Sequence, residues 1–288
     1  MKKIELEGKT YPTENFVIKE DFHTADVKII NSMLNGDGPP VYVIRGYMAT
    51  EVVDEIKAQF YKLIEETGGG NRSDFVKTFQ IGANQFLKSS SEYFDECNAT
   101  RKNVHQLLKN IDHDIADDFL LEKTFVKYFT GKGVHFGPSY YRGNYSNLFT
   151  ARLWADEDEN KKLSLQAHED LSQVKFVEKE GFEISNVKNV IACNLCVNSD
   201  SQSKLVLWNM SPYEAVKKEL GLDQSGYPYP AELVHEIECL KLDTKPGDLY
   251  FINANFLHGV ERSSTKNIRI TLGRFMGYSS GARIAYWT

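Results

Sequence analysis

The sequence predicts a mainly β fold with flanking helices, in which two antiparallel sheets close into a double-stranded β-helix, or jelly roll. From Lys132 onward, short apolar segments alternate with Gly, Pro and Asn, a pattern typical of sandwiches and barrels. Before that point, apolar residues recur at helical spacing, so helices of the N-terminal half should pack on one sheet. We therefore expect a single domain over residues 1–288, with strand and helical support in 1–130 and the jelly-roll core in 131–288.

The N-terminal support follows a loop at Gly36–Pro40, where glycines and prolines interrupt any regular element. Val41–Arg45 is predicted as a strand, because it is a short apolar run that ends in a charged residue. Thr50 is predicted to cap a helix that ends at Gly68–Gly70. This helix has one apolar stripe, formed by Val52, Val53, Ile56, Phe60, Leu63 and Ile64.

Two further helical regions are predicted. Asn98–Phe129 should be helical, with a break near Asp112–Asp118. Within the β region, Ser211–Glu214 has the pattern of a capping box with proline at the first helical position. Gly221 should end the helix that begins there.

The composition argues against several functional classes. A net charge of −6 and a pI of about 5.7 provide no basic surface for nucleic acid. No apolar run is long enough to span a membrane, and Met1–Glu5 lacks the apolar segment of a secretory signal. Four cysteines are too few for a disulfide scaffold in a chain of 288 residues. We expect a cytoplasmic protein that acts on a small molecule, while no pattern indicates an oligomeric state.

The first candidate site residues are His168 and Asp170, in the segment Gln166–Asp170. Alternate side chains of a strand point the same way, so both would aim at one point while Glu169 turns away. With His258, which lies 90 residues downstream, they could form two imidazoles and one carboxylate on one face of a non-heme iron site. The alternative is a hydrogen-bonded strand histidine followed by a turn aspartate.

The surroundings of His258 favour the metal site. Lys245–Asp248 has the composition of a tight turn, and Leu249–Ile252 is predicted as a buried strand. A polar break, Asn253–Asn255, separates that strand from Phe256–Val260. A histidine at the end of a short apolar strand, followed by glycine, is well placed to line the mouth of a barrel.

A second motif follows eleven residues after His258. Arg269 and Thr271 share one face of the predicted strand Ile268–Phe275, while Ile268, Ile270 and Leu272 lie on the other face. A buried guanidinium beside a hydroxyl is costly unless an anion meets it, and the pair suits the distal carboxylate of 2-oxoglutarate. The alternative interpretation pairs Arg269 with an acid such as Glu261 at the surface.

These motifs occur in the order of the Fe(II)/2-oxoglutarate oxygenases. The chain resembles, more particularly, the family of the welwitindolinone-type aliphatic halogenase and the N-succinyl amino acid hydroxylases. The resemblance covers most of the chain from about residue 40, at low identity. The matching stretches are Val41–Gly46, Thr150–Leu153, the His168 segment, Pro246–His258, the Arg269 strand and the closing Arg283–Trp287.

The resemblance implies a cupin-like jelly roll, Fe(II) held by His168, Asp170 and His258, 2-oxoglutarate held by Arg269 and Thr271, and O2 as co-substrate. In the halogenases, the position that matches Asp170 is glycine, and the missing carboxylate leaves room for chloride on the iron. Asp170 therefore argues for hydroxylation of an unactivated C–H, with release of succinate and CO2. The resemblance also suggests an amino acid or an amino-acid-derived metabolite as substrate.

Other candidates and functions are open at this stage. Arg152 is predicted to point inward, towards 2-oxoglutarate or an acidic substrate group, unless it faces Asp156 and Glu157 at the surface. The substrate-side candidates are Gln166, which should share the face of His168, and Tyr145, Trp208 and His135. The same iron site could instead serve halogenation, desaturation or ring closure. A metal-dependent cupin hydrolase or isomerase would use the triad but not Arg269. A third alternative is a non-catalytic binding module with a vestigial metal site.

Overall fold

The computed structural model describes residues 5–71, 78–154, 162–199, 202–262 and 268–288. The strands in these ranges are β1 (Gly8–Lys9), β2 (Ile18–Phe22), β3 (Val41–Arg45), β4 (Thr78–Ile81), β5 (His135–Pro138), β6 (Tyr140–Tyr141), β7 (Asn144–Tyr145), β8 (Thr150–Trp154), β9 (Leu163–His168), β10 (Ile191–Asn198), β11 (Leu205–Trp208), β12 (Ser211–Pro212), β13 (Cys239–Leu242), β14 (Leu249–Asn253), β15 (His258–Glu261), β16 (Arg269–Ser280) and β17 (Arg283–Trp287).

The α-helices of the same ranges are α1 (Val27–Asn35), α2 (Thr50–Thr67), α3 (Ser90–Gln106), α4 (His113–Asp117), α5 (Glu122–Thr130), α6 (Leu171–Phe176), α7 (Glu214–Leu220) and α8 (Ala231–Val234). No helix in the described ranges is both long and apolar enough to cross a bilayer.

The fold is a double-stranded β-helix. Its larger sheet has the strand order β2-β3-β14-β10-β16-β17-β5, and β8 and β4 extend it from the N-terminal half of β16. The smaller sheet has the order β13-β11-β15-β9. Apolar side chains of both sheets meet between them, among them Leu165, Leu205, Val260, Tyr250 and Ile252. The two sheets therefore face each other across a common interior.

Helices cover the outer face of the larger sheet. Ile30 of α1, Phe60 of α2 and Phe125 of α5 belong to one buried cluster with Phe251 and Leu272 of the sheet. The predicted packing of N-terminal helices on one sheet is thus confirmed. The alternation of each strand explains it, since one set of side chains faces these helices and the other set faces the interior.

Helix α2 has the predicted apolar stripe, but it begins with a different N-cap residue from the one predicted. Val53, Ile56, Phe60 and Leu63 are buried, and the helix ends at Gly68 with a positive φ of 76°. Its N-cap is Ala49, without a side-chain hydrogen bond, so the assignment of Thr50 as the cap is wrong by one residue.

The other helix predictions were less accurate. Helix α3 begins at Ser90, earlier than the predicted Asn98, because Ser89 and Glu92 form a capping box. The predicted break near Asp112–Asp118 holds the short α4, and α5 follows. The predicted capping box at Ser211 is wrong: Ser211 and Pro212 form β12, which pairs with β1, and α7 begins at Glu214. Gly221 ends α7 as expected.

Candidate active site

His168 and His258 are direct neighbours across two strands. β9 and β15 are antiparallel, and their register places the two histidines opposite each other. The centroids of their rings are 4.1 Å apart, and both side chains are buried. The pairing of adjacent strands therefore joins residues that lie 90 positions apart in the sequence.

The hydrogen bonds of the two rings fix which nitrogen faces the site. Nδ1 of His168 lies 2.8 Å from the carbonyl oxygen of Gln166, and Nδ1 of His258 lies 2.9 Å from that of Phe256. A carbonyl can only accept, so each Nδ1 carries the proton and donates. Each Nε2 is then left with a lone pair, which is the form in which histidine binds a metal.

The carboxylate of Asp170 lies close to the Nε2 atoms of both histidines. Oδ2 of Asp170 lies 3.1 Å from Nε2 of His258, and Oδ1 lies 4.0 Å from Nε2 of His168. The candidate ligand atoms all lie within 4.8 Å of one another. Three acceptors that converge in a buried place repel each other unless a cation lies between them. Two imidazoles and one carboxylate suit Fe(II), so the residues fit the ion that the resemblance implies.

The backbone after β9 turns so that Asp170 faces the histidines. The amide of Asp170 donates to the carbonyl of Ala254, and Asp170 is the N-cap residue of α6. The side chain of Gln173, one turn along α6, donates from Nε2 to Oδ1 of Asp170. The carboxylate thus has a fixed orientation before any ligand arrives.

Glu169 turns away from the histidines, as predicted, and is fully buried. Its Oε2 accepts from the amides of Leu171 and Ser172 at 2.7 and 3.1 Å, which caps α6. Its Oε1 lies 2.8 Å from Nζ of Lys217, a buried lysine of α7. Gly226 contacts the same turn so closely that a Cβ there would lie 2.2 Å from the carbonyl oxygen of Glu169. The turn that carries Asp170 is therefore held from several sides.

Arg269 lies in the interior, on the face of β16 that the alternation predicts. Its guanidinium donates to the carbonyl of Ser203 at 2.8 Å, to Oγ1 of Thr244 at 3.1 Å and to Oη of Tyr250 at 3.0 Å. Glu261 instead contacts Lys241, with 2.6 Å between Oε1 and Nζ. The alternative that paired Arg269 with Glu261 at the surface is therefore wrong.

One cavity connects the histidines to this guanidinium. Arg152, His168, Asp170, His258, Arg269 and Thr271 all line it. Arg152 lies opposite Thr271 across β8 and β16, and Nε1 of Trp154 lies 3.4 Å from Oγ1 of Thr271. Asp156 and Glu157, which could have held Arg152 at the surface, lie outside the described residues. A cation-binding end and an anion-binding end thus share one space, as a keto diacid on iron requires.

The structure contradicts the predicted face of Gln166. The register between β9 and β15 shifts between the pairs His168–His258 and Leu165–Val260, which is a β-bulge. Because of this extra residue, Leu165 and His168 both face the cavity, whereas Gln166 lines a separate groove on the outer face of the smaller sheet.

The other three substrate-side candidates also lie away from the cavity. Trp208 lines the outer groove together with Gln166, because its side chain projects from β11 away from the interior. Tyr145 is about half exposed on the β6–β7 hairpin and packs against Tyr140. His135 is exposed beside Arg283.

Two residues of the site were missed by the sequence analysis. Tyr250 lies in the strand that was interpreted as simply buried and apolar, yet its hydroxyl accepts from Arg269. Burial raises the pKa of this phenol, so Tyr250 stays neutral beside the guanidinium. A buried tyrosine normally needs a polar partner, and that rule could have identified it. Gln173 could have been found from its spacing, three residues after Asp170 at the start of a helix.

Comparison with known proteins adds independent information. No family profile matches the chain. The chain is 37% identical over 262 residues to L-isoleucine 3(1)-dioxygenase of Pantoea ananatis, and the match covers 90% of this chain and 87% of that protein. Among solved structures, an N-substituted L-amino acid dioxygenase from Burkholderia ambifaria has a TM-score of 0.52 at 14% identity, over 91% of each chain. The same enzyme in complex with alpha-ketoglutarate gives a TM-score of 0.50 at 13% identity, over 91% of this chain and 90% of that one. These structural similarities show a shared fold.

Proposed function

Because this chain belongs to the Fe(II)/2-oxoglutarate-dependent dioxygenases, the family of the isoleucine dioxygenase just described, we propose that His168, Asp170 and His258 hold its Fe(II). The enzyme uses Fe(II), 2-oxoglutarate and O2 to oxidise a small molecule. The observation that supports the ligand assignment is the convergence of two Nε2 atoms and one carboxylate in a cavity that also contains Arg269.

Arg269, Thr271 and Arg152 are the proposed binding residues for 2-oxoglutarate. Arg269 would grip the distal carboxylate, with its guanidinium plane fixed by Tyr250, Thr244 and the carbonyl of Ser203. The hydroxyl of Thr271 faces the same cavity and can donate to the second carboxylate oxygen. Arg152, one strand away, would neutralise either the co-substrate or a substrate carboxylate.

The reaction that we propose is hydroxylation of an aliphatic carbon of an amino acid, with a branched aliphatic side chain such as that of isoleucine as the first candidate. Bound Fe(II) supplies the redox chemistry, in which one oxygen atom of O2 enters the substrate and the other enters succinate as CO2 leaves. As the third protein ligand, Asp170 would fill the coordination position that a halide would need, which supports hydroxylation rather than halogenation. Leu165, Leu205 and Val260 line the cavity beside the ligands and exclude water from the oxidising centre.

The three buried cysteines and exposed Cys239 are all free thiols, which supports the proposal of a reducing, cytoplasmic location. The single-domain organisation over residues 1–288, with support in 1–130 and core in 131–288, likewise remains our proposal. It is supported by β3, which pairs with β14 inside the larger sheet.

Anaerobic reconstitution tests the ligand and co-substrate assignments together. We expect a weak visible charge-transfer band when Fe(II) and 2-oxoglutarate are added to the protein. His168→Ala should abolish the band, and Arg269→Met should require about 100-fold more 2-oxoglutarate to reach it, since a buried charge contact is lost. Tyr250→Phe should shift the same titration about tenfold, because one hydrogen bond to the guanidinium disappears.

The matched control is Gln166→Ala, which changes a side chain on the outer face of the same strand. It should leave the titration unchanged. An unaltered band in His168→Ala would overturn the ligand assignment. Turnover that ignores 2-oxoglutarate would favour a cupin hydrolase or isomerase instead.

A further inference from the structure

The segment from Gln80 to Phe86 crosses between elements that line the active-site cavity. At its start, Gln80 lies opposite Arg152 across β4 and β8. In its middle, the carbonyl of Ala83 accepts from the hydroxyl of Thr150, and the amide of Gln85 donates to the carbonyl of Thr288 at 2.7 Å. This chain segment is thereby tied to β8 and to the residue after β17.

The far end of the segment approaches the histidines through two aromatic rings. The ring of Phe86 lies edge-on to Tyr227, with centroids 6.1 Å apart. Tyr227 in turn lies edge-on to His168, at 5.9 Å. The segment therefore spans from the neighbourhood of Arg152 to that of His168.

Two amide side chains in this segment are buried without a hydrogen-bond partner among the residues that the structure describes. Asn84 and Gln85 have relative exposures of 1% and 2%. Among the described residues, no hydrogen-bond partner reaches the side-chain nitrogen or oxygen of either amide. Buried amides are nearly always satisfied, because an unsatisfied donor or acceptor costs folding stability. Four such atoms on adjacent residues beside an active site indicate a ligand that satisfies them.

The chemistry of the two amides specifies that ligand. Each amide offers a carbonyl oxygen that accepts and an NH2 group that donates twice. A free α-amino acid presents the complementary groups, since its ammonium donates three hydrogen bonds and its carboxylate only accepts. The amides are neutral, so they match a zwitterion without net charge better than they match an anion. An amino acid acylated on nitrogen keeps one N–H and would leave a carbonyl unsatisfied.

Resting on the proposed function, we infer that Asn84 and Gln85 bind the α-ammonium and α-carboxylate groups of a free L-amino acid substrate. The aromatic pair Phe86 and Tyr227 then lies between this polar contact and His168. The substrate's polar end is held at the segment, and its aliphatic side chain extends towards the metal ligands. The pair of amides thus selects amino acids that are unsubstituted on nitrogen.

The experiment replaces each amide by an apolar side chain of similar size, in Asn84→Leu and Gln85→Met. If the amides serve only a ligand, the unliganded variants should melt at the same temperature as wild type or higher, because an unsatisfied buried group is removed. The KM for L-isoleucine should rise about tenfold or more, while the KM for 2-oxoglutarate stays unchanged. Wild type should prefer L-isoleucine to N-acetyl-L-isoleucine, and both variants should lose that preference.

The matched control is Asn209→Leu, which removes a buried amide that bonds to the amide and carbonyl of Tyr11 and to Glu238. It should lower the melting temperature without changing either KM. An unchanged KM for L-isoleucine in both test variants, or a lower melting temperature like that of the control, overturns the inference. Failure of the proposed function is separate, since wild type itself would then form no charge-transfer band with Fe(II) and 2-oxoglutarate. If another standard L-amino acid is turned over faster, it replaces L-isoleucine as the probe.

Discussion

The two oxygens of Asp170 have different environments, and this difference gives Gln173 its importance. Oδ2 lies 3.1 Å from Nε2 of His258, whereas Oδ1 accepts from Nε2 of Gln173. A hydrogen bond to a ligating carboxylate fixes its rotation and lowers the entropy lost when a metal binds. Gln173 is buried, so water does not easily replace it.

Replacing Gln173 by Leu should weaken Fe(II) binding by about 10- to 100-fold, because the carboxylate loses its fixed orientation. The measurement is the concentration of Fe(II) that gives half-maximal activity, together with a direct metal titration without 2-oxoglutarate. Gln166→Leu provides the control, since that glutamine lies on the outer face of β9. Equal Fe(II) affinity in both variants would show that Gln173 does not position the ligand.

At this scale, the sequence predicted the side chains whose strands are regular. Arg269 and Thr271 face the cavity because β16 alternates without interruption over that stretch. Gln166 was misassigned because a bulge adds a residue between Leu165 and His168, and no residue pattern marks that bulge. Asn84 and Gln85 could not be found from the sequence, since an amide in a loop is ordinarily solvated.

The β9–α6 connection is the element that holds the metal-binding carboxylate. Glu169 caps α6 and pairs with Lys217 of α7, and both side chains are at most 3% exposed. A buried ion pair is weak as a net stabiliser, but the loss of one partner leaves an uncompensated charge. The pair therefore links the stability of α7 to the position of Asp170.

Lys217→Met should lower the free energy of unfolding by about 3–5 kcal/mol, because it strands the Glu169 carboxylate in the interior. Urea unfolding monitored by tryptophan fluorescence measures the change. The double variant Glu169→Gln/Lys217→Met should recover a large part of the loss. As a control, Lys62→Met removes an exposed pair at 3.9 Å and should change stability by less than about 0.5 kcal/mol. If Lys217→Met and Lys62→Met lowered the free energy of unfolding by similar amounts, burial of the Lys217–Glu169 pair would not be the cause.

Helix ends show what could be predicted at the scale of elements. The stripe of α2 and the glycine ends of α2 and α7 were predictable because they depend on local backbone geometry and periodicity. The supposed capping box at Ser211 failed because Ser211 and Pro212 pair with Gly8 and Lys9, about 200 residues earlier. A tertiary contact of that range overrides a local capping preference.

At the scale of the whole molecule, the larger sheet separates two apolar layers. Cys193 belongs to the layer beneath the helices and Cys196 to the layer between the sheets, as their odd separation along one strand predicts. Cys97 is buried in the second layer, whereas Cys239 is exposed on β13. Burial raises the pKa of the Cys193 thiol to about 12 and that of Cys97 to about 11, and it also raises the pKa of Cys196.

A thiol count of the native protein tests this layering. A raised pKa leaves a thiol protonated and unreactive at about pH 8, so only Cys239 should react rapidly with a disulfide reagent. All four should react after denaturation in guanidinium. Cys239→Ser should abolish the fast phase and leave catalysis intact. Rapid reaction of a second cysteine in the native protein would show that one apolar layer opens to solvent.

The length of β16 constrains how this enzyme can be altered. One uninterrupted strand of 12 residues pairs with β8, β10 and β17 and carries Arg269, Thr271 and Phe275 on its inner face. A single inserted or deleted residue inside it would transfer the guanidinium from the interior to the helical layer and would offset three registers at once. Changes of chain length should therefore be tolerated in the turn at Gly281–Ala282, but not within the strand. Loop grafting that aims to retune the substrate range should leave this strand untouched.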